Sequence, residues 1–418
     1  MSSHGPKKVS KEQIWIKPGS LWARLPIIGA VLAVIGLGGS FSMMGDHPQE
    51  FWYSYLTALA IFIAFGLGGL FFVIIQHVTR AGWSIVVRRL AENVMITLPA
   101  LSLLALPVVF MGTHELYEWT HLDVVAADTM LSAKQPYLNE GFFIQRMLGY
   151  FGVWTLLSVL FYRWSTSQDD ATGDAIEKKA HSMRWLSAPG VALFALSMTF
   201  FAFDALMSLD PHWFSTMFGV YYFAGIAVTS HAMLALISIA LRKSGYLQGI
   251  VTEEHNHSIG KLMFGFTVFF AYIGFSQYFL IWYANIPEET RWFAYRINGD
   301  FLYLSGLLAI GRFVIPFFFL VSRVIKRNSN TLLLAAIWIL LMEFIDMYWL
   351  VQPVLVNHHA QHAEHAEALQ MHLGALDILT VVGVGGVFLA VFGWALARKA
   401  LIPVNDPRTQ ESLEFEDF

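Results

Sequence analysis

The sequence predicts an all-α polytopic membrane protein with ten transmembrane helices. Apolar residue types make up 56% of the 418 residues, and the mean hydropathy is +0.55. Ten apolar stretches also reach the roughly 20 residues that a helix needs to cross a hydrocarbon core of about 30 Å. Little of the chain is left for a soluble domain. In chain order the segments are 26–44, 51–76, 94–112, 141–162, 189–209, 217–241, 261–284, 301–322, 331–351 and 374–397.

The loops between these segments carry lysine and arginine on alternate sides. The N-terminus, the second, fourth, sixth and eighth loops and the C-terminus together hold 21 of the 26 basic residues. The opposite side holds only Lys134, Arg291 and Arg296. Because positively charged short loops are retained in the cytoplasm, both termini are expected there. An even number of segments agrees with this orientation.

The segments divide into two groups. We expect segments two to five and six to nine to form two four-helix bundles, with the first and tenth helices at the periphery. Four passes restore the starting orientation, so the two halves would be parallel copies. The corresponding divisions are a cytoplasmic N-terminal segment 1–25, a first half 26–209, a second half 217–397 and a cytoplasmic tail 398–418. The polar stretch 163–188 predicts a solvated linker, and glycines in the first, second and tenth segments predict close helix packing.

The chain contains no cysteine. Iron–sulfur clusters are held mainly by cysteine thiolates and c-type haem needs a Cys-x-x-Cys-His attachment, so the chain can carry neither. A b-type haem would need two histidines at matched depth, yet only His231 lies well within a segment. If electrons move through this protein, a neighbouring subunit or a bound quinone carries them.

Ionisable residues inside the segments are the first functional candidates, because burying charge in a membrane is costly. Glu343 and Asp346 are three residues apart and share a helix face, and a Glu343–Arg312 ion pair is geometrically reasonable. Pro316 cannot donate to the carbonyl of Arg312, which predicts a bent, locally polar helix. The functional interpretation is a proton path, and the alternative is a buried structural ion pair. The candidates are Asp204, Arg312, Glu343, Asp346 and His231.

Two histidine-bearing stretches offer further candidates. His114, Glu118 and His121 fall at i, i+4 and i+7 on one helical face, which could bind a quinone headgroup, a proton or a metal. The zinc-protease pattern His-Glu-x-x-His fails there, and a simple interfacial turn is the alternative. A second group consists of His358, His359, His362, His365 and His372. It could form a proton-collecting surface or an adventitious metal site, and the preferred interpretation is a solvated amphipathic face. No metal is predicted at either stretch.

The segment 277–290 reads QYFLIWYANIPEET. It resembles the signature of the polysulfide-reductase-type (NrfD-like) quinone-interacting membrane subunits. More narrowly, the chain is similar to the shorter of the two such subunits in alternative complex III, the bacterial quinol:cytochrome c or quinol:acceptor oxidoreductase. Ten segments with two four-helix bundles match that family over nearly the whole chain.

The resemblance implies a subunit of the bacterial cytoplasmic (inner) membrane with no redox centre of its own. Partner chains would hold the iron–sulfur clusters and haem c, and a paralogous ten-span subunit would lie beside it. Quinol would bind near the outer face, where His114, Glu118 and His121 occupy the corresponding end of the third segment. Whether this chain or its paralogue holds the working quinol site is left open.

Three function classes follow from these observations. The first is a membrane subunit of a quinol-oxidising respiratory complex that contributes assembly and a proton path. The second is an independent secondary transporter, which would also use intramembrane charges and parallel halves. The third is a structural membrane anchor with buried ion pairs and no proton transfer. No nucleic-acid partner is expected.

Overall fold

Ten long helices dominate the computed structural model, which describes residues 9–362, 370, 371 and 373–417. The described residues contain no strand. The prediction of an all-α multi-pass membrane protein with ten spans is therefore confirmed. Spans 1 to 10 are Leu21–Met43, Pro48–Val78, Ile85–Phe110, Glu140–Gln168, Asp174–Leu209, Phe218–Lys243, Glu253–Ala284, Phe301–Leu320, Ser329–His362 and Ala375–Arg398.

Spans 4 and 5 are longer than their apolar segments. Span 4 continues to Gln168 and span 5 already begins at Asp174, so the prediction of a linker over 163–188 is wrong. Helical hydrogen bonds do not need apolar side chains, and both helices continue past the apolar layer as polar turns. Two hydrogen bonds fasten their ends, from Gln168 Nε2 to the Ile176 carbonyl at 3.0 Å and from Lys179 Nζ to Ser167 Oγ at 2.6 Å.

The spans pack as the predicted two groups, with spans 2 to 5 in one and spans 6 to 9 in the other. Spans 2 and 6 lie at the centre of the molecule, where they pack against each other and are buried along almost their whole length. Span 2 also contacts span 9 from the other group and span 10 from the periphery. The residues between the two groups are therefore enclosed by protein.

Spans 1 and 10 form a closely packed pair outside the two groups. A Cβ atom added at Gly36 would lie 2.2 Å from the amide nitrogen of Gly383, and one added at Gly386 would lie 2.3 Å from that of Ala33. Only glycine permits the backbones to approach so closely. The predicted packing role is confirmed for these glycines, whereas Gly38 faces open space.

The two ends of the molecule differ in charge. We call the end with residues 9–20, the turns after spans 2, 4, 6 and 8, and residues 399–417 the basic face, and the other end the opposite face. The short helices of the opposite face are Thr113–Leu116, Glu118–Thr120, Leu122–Ala127, Thr129–Lys134 and Pro287–Ala294. The basic face has Lys11–Ile14, Arg323–Arg327 and Thr409–Leu413.

The QYFLIWYANIPEET segment makes a corner at the opposite face. Span 7 ends at Ala284, and Asn285 adopts the left-handed conformation at φ 50° that often terminates helices. Pro287 then begins the next helix, where its missing amide hydrogen costs nothing. Trp292 of that helix stacks on Trp213 with ring centroids 4.4 Å apart, which fixes the corner.

The histidine-rich stretch after span 9 is only partly within the described residues. His358 and His359 lie on the last turns of the helix, and the helix ends at His362. His365 and His372 lie outside the described residues.

Candidate functional site

Span 8 departs from α-helical geometry where it carries its buried arginine. Residues Ala309–Val314 form a wider π-helical turn, with hydrogen bonds of the i to i+5 kind, and Arg312 lies within it. Such a turn would pair the Gly311 carbonyl with the amide of residue 316, but residue 316 is a proline. The indole Nε1 of Trp338 donates to that carbonyl at 2.7 Å instead. The Trp338 side chain thus satisfies the carbonyl of Gly311. The prediction from Pro316 concerned the carbonyl of the next residue, Arg312.

Arg312 faces two carboxylates of span 9. Its Nη2 donates to Glu343 Oε2 and lies 3.6 Å from Asp346 Oδ2. The hydroxyl of Tyr221 on span 6 donates to Asp346 Oδ1 at 2.5 Å. The predicted Glu343–Arg312 pair is therefore present, and the structure adds Tyr221, which no sequence pattern singled out. We call Arg312, Glu343, Asp346 and Tyr221 the Arg312 cluster.

The Arg312 cluster is sealed by its neighbours. The side chains of Arg312, Glu343 and Asp346 are 5%, 0% and 1% exposed. The guanidinium lies over the Phe270 ring at 4.1 Å, a cation–π contact that suits a desolvated arginine. Gly225 on span 6 leaves the space that the cluster fills, since a Cβ there would lie 3.0 Å from Arg312 Nη2.

Four polar atoms of the cluster have no hydrogen-bond partner among the described residues: Arg312 Nε, Arg312 Nη1, Glu343 Oε1 and Asp346 Oδ2. Buried polar atoms without protein partners are the usual binding positions of internal water. Two carboxylates also share a single guanidinium, so the fully ionised cluster has a net charge of −1. Burial of an uncompensated charge is costly, and one bound proton removes it. With one bound proton the cluster would be neutral.

An apolar cavity of about 540 Å³ adjoins the cluster between spans 7 and 8. Its walls include Phe270, Phe275, Phe313 and Trp349, and Tyr221 forms part of the lining. Tyr221 thus lines the cavity and also contacts Asp346 through its hydroxyl. A mainly apolar cavity with few polar groups at its wall suits a ligand with a hydrocarbon tail.

Asp204 does not join the Arg312 cluster. It lies in a second π-helical turn, Ala202–Leu206 of span 5, and is fully buried. Arg146 of span 4 donates to both of its carboxylate oxygens, from Nε at 2.8 Å and from Nη2 at 3.1 Å. The hydroxyl of Tyr150 donates to the same carboxylate at 2.8 Å.

The prediction that Asp204 extends a path from the Arg312 cluster has no support in the contacts. No hydrogen bond or ion pair joins it to that cluster in the described part of the chain, because its carboxylate is engaged within the first four-helix group. Sequence analysis did not select Arg146 or Tyr150. Their spacing of four residues on one apolar helix was the available signal.

His231 is a packed core residue. Its Nδ1 lies 2.8 Å from the Ala227 carbonyl oxygen and 3.0 Å from Ser230 Oγ. Its ring stacks on Phe266 with centroids 5.2 Å apart. No described contact connects it to the Arg312 cluster.

His114, Glu118 and His121 do not share a helix face, and that prediction is wrong. The helix Thr113–Leu116 ends at Tyr117, and Glu118–Thr120 forms a separate turn. Burial of the Tyr117 ring, whose hydroxyl donates to the Ala205 carbonyl at 3.1 Å, turns the chain inward at this point. The three side chains nevertheless line one cavity, and His121 Nε2 lies 2.9 Å from the His114 carbonyl oxygen.

This second cavity, of about 380 Å³, opens at the opposite face between the two groups of spans. Asp210, His212 and Arg291 also line it, so its walls are far more polar than those of the cavity beside Tyr221. The Tyr295 hydroxyl donates to Asp210 Oδ2 at 2.7 Å, and burial raises the pKa of Tyr295 above its usual value. His212 lies 2.7 Å from Asp128, and this contact lowers the pKa of Asp128. The lining suits a polar, proton-exchanging group.

A third charged network lies at the basic face. Span 3 begins at Ile85, so Arg88 and Arg89 are helical and buried, not loop residues as the charge count assumed. Arg89 donates to Glu92 at 2.8 Å and to Asp169 at 2.8 Å. Arg88 donates to Asp406 of the C-terminal segment at 2.6 Å. The spacing of Glu92, three and four residues after the two arginines, was the sequence signal for this network.

Within the described residues, no three His, Asp or Glu side chains are grouped so that they could hold a metal ion. Neither a comparison with protein-family models nor a search of curated proteins finds a match for this chain.

Proposed function

We propose that this chain is a membrane subunit of a bacterial quinol-oxidising respiratory complex and that it handles protons through the Arg312 cluster. The resemblance of residues 277–290 to the polysulfide-reductase-type subunits supports the class of complex. The absence of cysteine from the sequence supports the assignment of iron–sulfur clusters and haem c to partner chains. A paralogous ten-span subunit would complete the membrane part.

The observation that carries the proposal is the ratio of two buried carboxylates to one buried guanidinium. Glu343 and Asp346 both face Arg312, and neither is more than 1% exposed. A structural ion pair would be neutral with a single acid, whereas this arrangement gains or loses a charge with each proton. Tyr221 connects the carboxylates to the cavity between spans 7 and 8. A proton delivered at that cavity would therefore have an acceptor within one hydrogen bond.

The basic face is proposed to be cytoplasmic, in the bacterial inner membrane, because short loops rich in lysine and arginine are retained on that side. The cavity lined by His114, Glu118 and His121 then lies at the outer surface. Its histidines and carboxylates suit proton exchange with bulk water.

The quinol tail and headgroup place different demands on the two cavities. An isoprenoid tail needs predominantly apolar walls, which the cavity beside Tyr221 has, whereas the cavity beside His114 has mixed walls with many charged and polar residues. When bound, a quinol supplies two protons and two electrons. In this chain Tyr221 would orient the headgroup and the ionised carboxylate of Asp346 would accept one proton, while the other proton would leave to water and the electrons would pass to the redox centres of partner chains. The predicted quinol site at His114, Glu118 and His121 is thus better suited to a proton exit.

The test is the number of protons translocated per electron by the purified complex in proteoliposomes. Glu343→Gln and Asp346→Asn each remove one titratable group with little change in shape, and we expect both to lower this ratio while quinol oxidation continues. Asp170→Asn is the matched control, since Asp170 is 82% exposed at the basic face. An unchanged ratio in both cluster variants would leave only the structural anchor.

An independent secondary transporter is the second candidate. It is favoured by the two π-helical turns, which place the buried Asp204 and Arg312 on interrupted helices, although spans 5 and 8 are the fourth and third helices of their groups and so do not correspond. Gentle purification of a tagged chain separates the two candidates. Co-purifying iron–sulfur and haem c proteins would favour the complex, and a single species would favour the transporter.

A further inference from the structure

A third cavity lies at the basic face, away from both sites described above. Its volume is about 200 Å³, and it is enclosed by the ends of spans 2, 3 and 5 and by the C-terminal segment. Four arginines line it: Arg80, Arg88, Arg184 and Arg408. The lining acids are Glu177 and Asp406.

The charges around this cavity do not balance. Asp406 accepts from Arg88 at 2.6 Å, and Glu411 accepts from Arg408 at 2.6 Å. Arg80 and Arg184 make no ion pair among the described residues, and Glu177 pairs with neither of them. Two guanidinium groups at one small cavity are therefore left without an acidic partner. Bidentate guanidinium groups are the preferred protein ligands of phosphate.

A second, independent observation comes from span 2. His77 and Gln76 also line the cavity and are only 7% and 6% exposed. His77 Nε2 and Gln76 Oε1 have no hydrogen-bond partner within the described part of the chain. The His77 ring is held by stacking on Phe161, with centroids 5.7 Å apart. Because Gln76 can present its amide group in either orientation, both side chains can donate to a bound oxyanion.

The backbone at Arg80 is consistent with a specific role for its side chain. Arg80 adopts the left-handed conformation at φ 53°, which glycine would adopt without strain. Its carbonyl accepts a hydrogen bond from Arg408, so this turn is also tied to the C-terminal segment.

We propose that this cavity binds the phosphate of an anionic phospholipid from the leaflet at the basic face. Arg80, Arg184 and His77 supply the positive charge and the hydrogen-bond donors that a phosphate group needs. The lipid source is favoured over free phosphate by Trp185, which adjoins Arg184 and is 70% exposed. Exposed tryptophans mark the depth of the lipid headgroups. Basic pockets between membrane helices at the cytoplasmic surface bind such headgroups.

Competition binding with the full chain, purified in detergent with whatever partners accompany it, tests the proposal. The probe is fluorescent phosphatidylglycerol, and the competitors are unlabelled phosphatidylglycerol, phosphatidylcholine and sodium phosphate. We expect phosphatidylglycerol to compete at least tenfold better than phosphatidylcholine. The double variant Arg80→Gln/Arg184→Gln should bind the probe at least tenfold more weakly.

The matched control is Arg163→Gln/Lys178→Gln, which removes two exposed positive charges from the same face but outside the cavity. It should change affinity by less than about twofold, since distant exposed charges are screened. Equal losses in the two double variants, or equal competition by phosphatidylcholine, would overturn the proposal. If millimolar sodium phosphate displaced the probe as effectively as phosphatidylglycerol does, the assignment of the phosphate to a lipid would be overturned. Arg80 is exposed, so Arg80→Gln alone serves if the double variant does not fold.

Discussion

Arg146 on span 4 donates to both carboxylate oxygens of Asp204 on span 5, at 2.8 and 3.1 Å. The second four-helix group has a related arrangement, in which Arg312 on span 8 faces the acids of span 9. In each group the third helix supplies the arginine and the fourth supplies the carboxylate. The first group has one acid for its arginine and the second has two. Only the second cluster therefore changes between neutral and negative when it loses one proton.

The ratio of charges predicts an asymmetry among variants of the Arg312 cluster. Arg312→Met would leave two buried carboxylates without a cation, and we expect a loss of about 3–5 kcal/mol in the free energy of unfolding. Glu343→Gln would leave Asp346 and Arg312 as a neutral pair and should cost less than about 2 kcal/mol. Thermal unfolding in detergent measures both. A Glu343→Gln variant less stable than Arg312→Met would contradict the assigned charges.

The Arg146–Asp204 pair predicts an asymmetry of a different origin. Arg146→Gln strands a carboxylate that is fully buried, so we expect a loss of about 3–5 kcal/mol. Asp204→Asn leaves Arg146 in contact with the Tyr137 carbonyl at 2.9 Å and with the Tyr137 ring at 3.9 Å. That variant should lose less than half as much stability. Chemical unfolding of the two variants side by side tests this order. Equal losses of stability would show that an unpaired Asp204 is no more costly than an unpaired Arg146.

The sequence was sufficient to locate the ten spans and to pair Arg312 with the two acids of the next span. Glu343 and Asp346 are three residues apart on one helix, and Arg312 is at a similar depth on the preceding span, so their meeting required only local geometry. Tyr221 could not be found in this way. It reaches Asp346 from span 6, 125 residues away, and that approach is a property of tertiary packing.

Two wrong predictions have physical causes that hydropathy does not register. His114, Glu118 and His121 have helical spacing, but burial of Tyr117 and Trp119 takes precedence over the local helix and breaks it at Tyr117. The stretch 163–188 is polar, yet its backbone continues as helix on both sides of a turn. The polar side chains indicate where the chain leaves the apolar layer, and they do not indicate where the helices end.

Two glycine-to-alanine substitutions on span 1 should distinguish the effect of helix packing on stability from the effect of helix propensity. In Gly36→Ala the new methyl group would lie 2.2 Å from the Gly383 amide nitrogen, so spans 1 and 10 must move apart. We expect a loss of about 1–3 kcal/mol. Gly38→Ala, two residues away, adds its methyl group in open space and should change stability by less than about 1 kcal/mol. Similar melting temperatures for the two variants would argue against the close approach of these helices.

Acid should release the C-terminal segment from span 3. Burial of Asp406 favours its neutral form, but the charge and hydrogen bond of Arg88 outweigh this and hold the pKa of Asp406 below its usual value. The stabilisation is therefore present above the unfolded-state pKa of about 3.9 and is lost as the pH falls through the lower folded-state pKa. Thermal unfolding between pH 6 and pH 3 measures this loss.

Asp406→Asn provides the control for that titration. Its melting temperature should already be reduced at pH 6 and should fall less steeply toward pH 3. Curves of equal slope for the variant and the natural chain would assign the acid sensitivity to other carboxylates.

The glycine contact between spans 1 and 10 sets an order of events during biosynthesis. Span 1 is synthesised about 355 residues before span 10 is complete, a delay of roughly 20 to 70 seconds at about 5–20 residues per second. Throughout that interval its flat glycine surface has only lipid, or the insertion machinery, to cover it. Closure of this pair consequently waits until span 10 has been inserted, and a nascent chain truncated before residue 375 exposes a helix-binding surface that the complete pair hides.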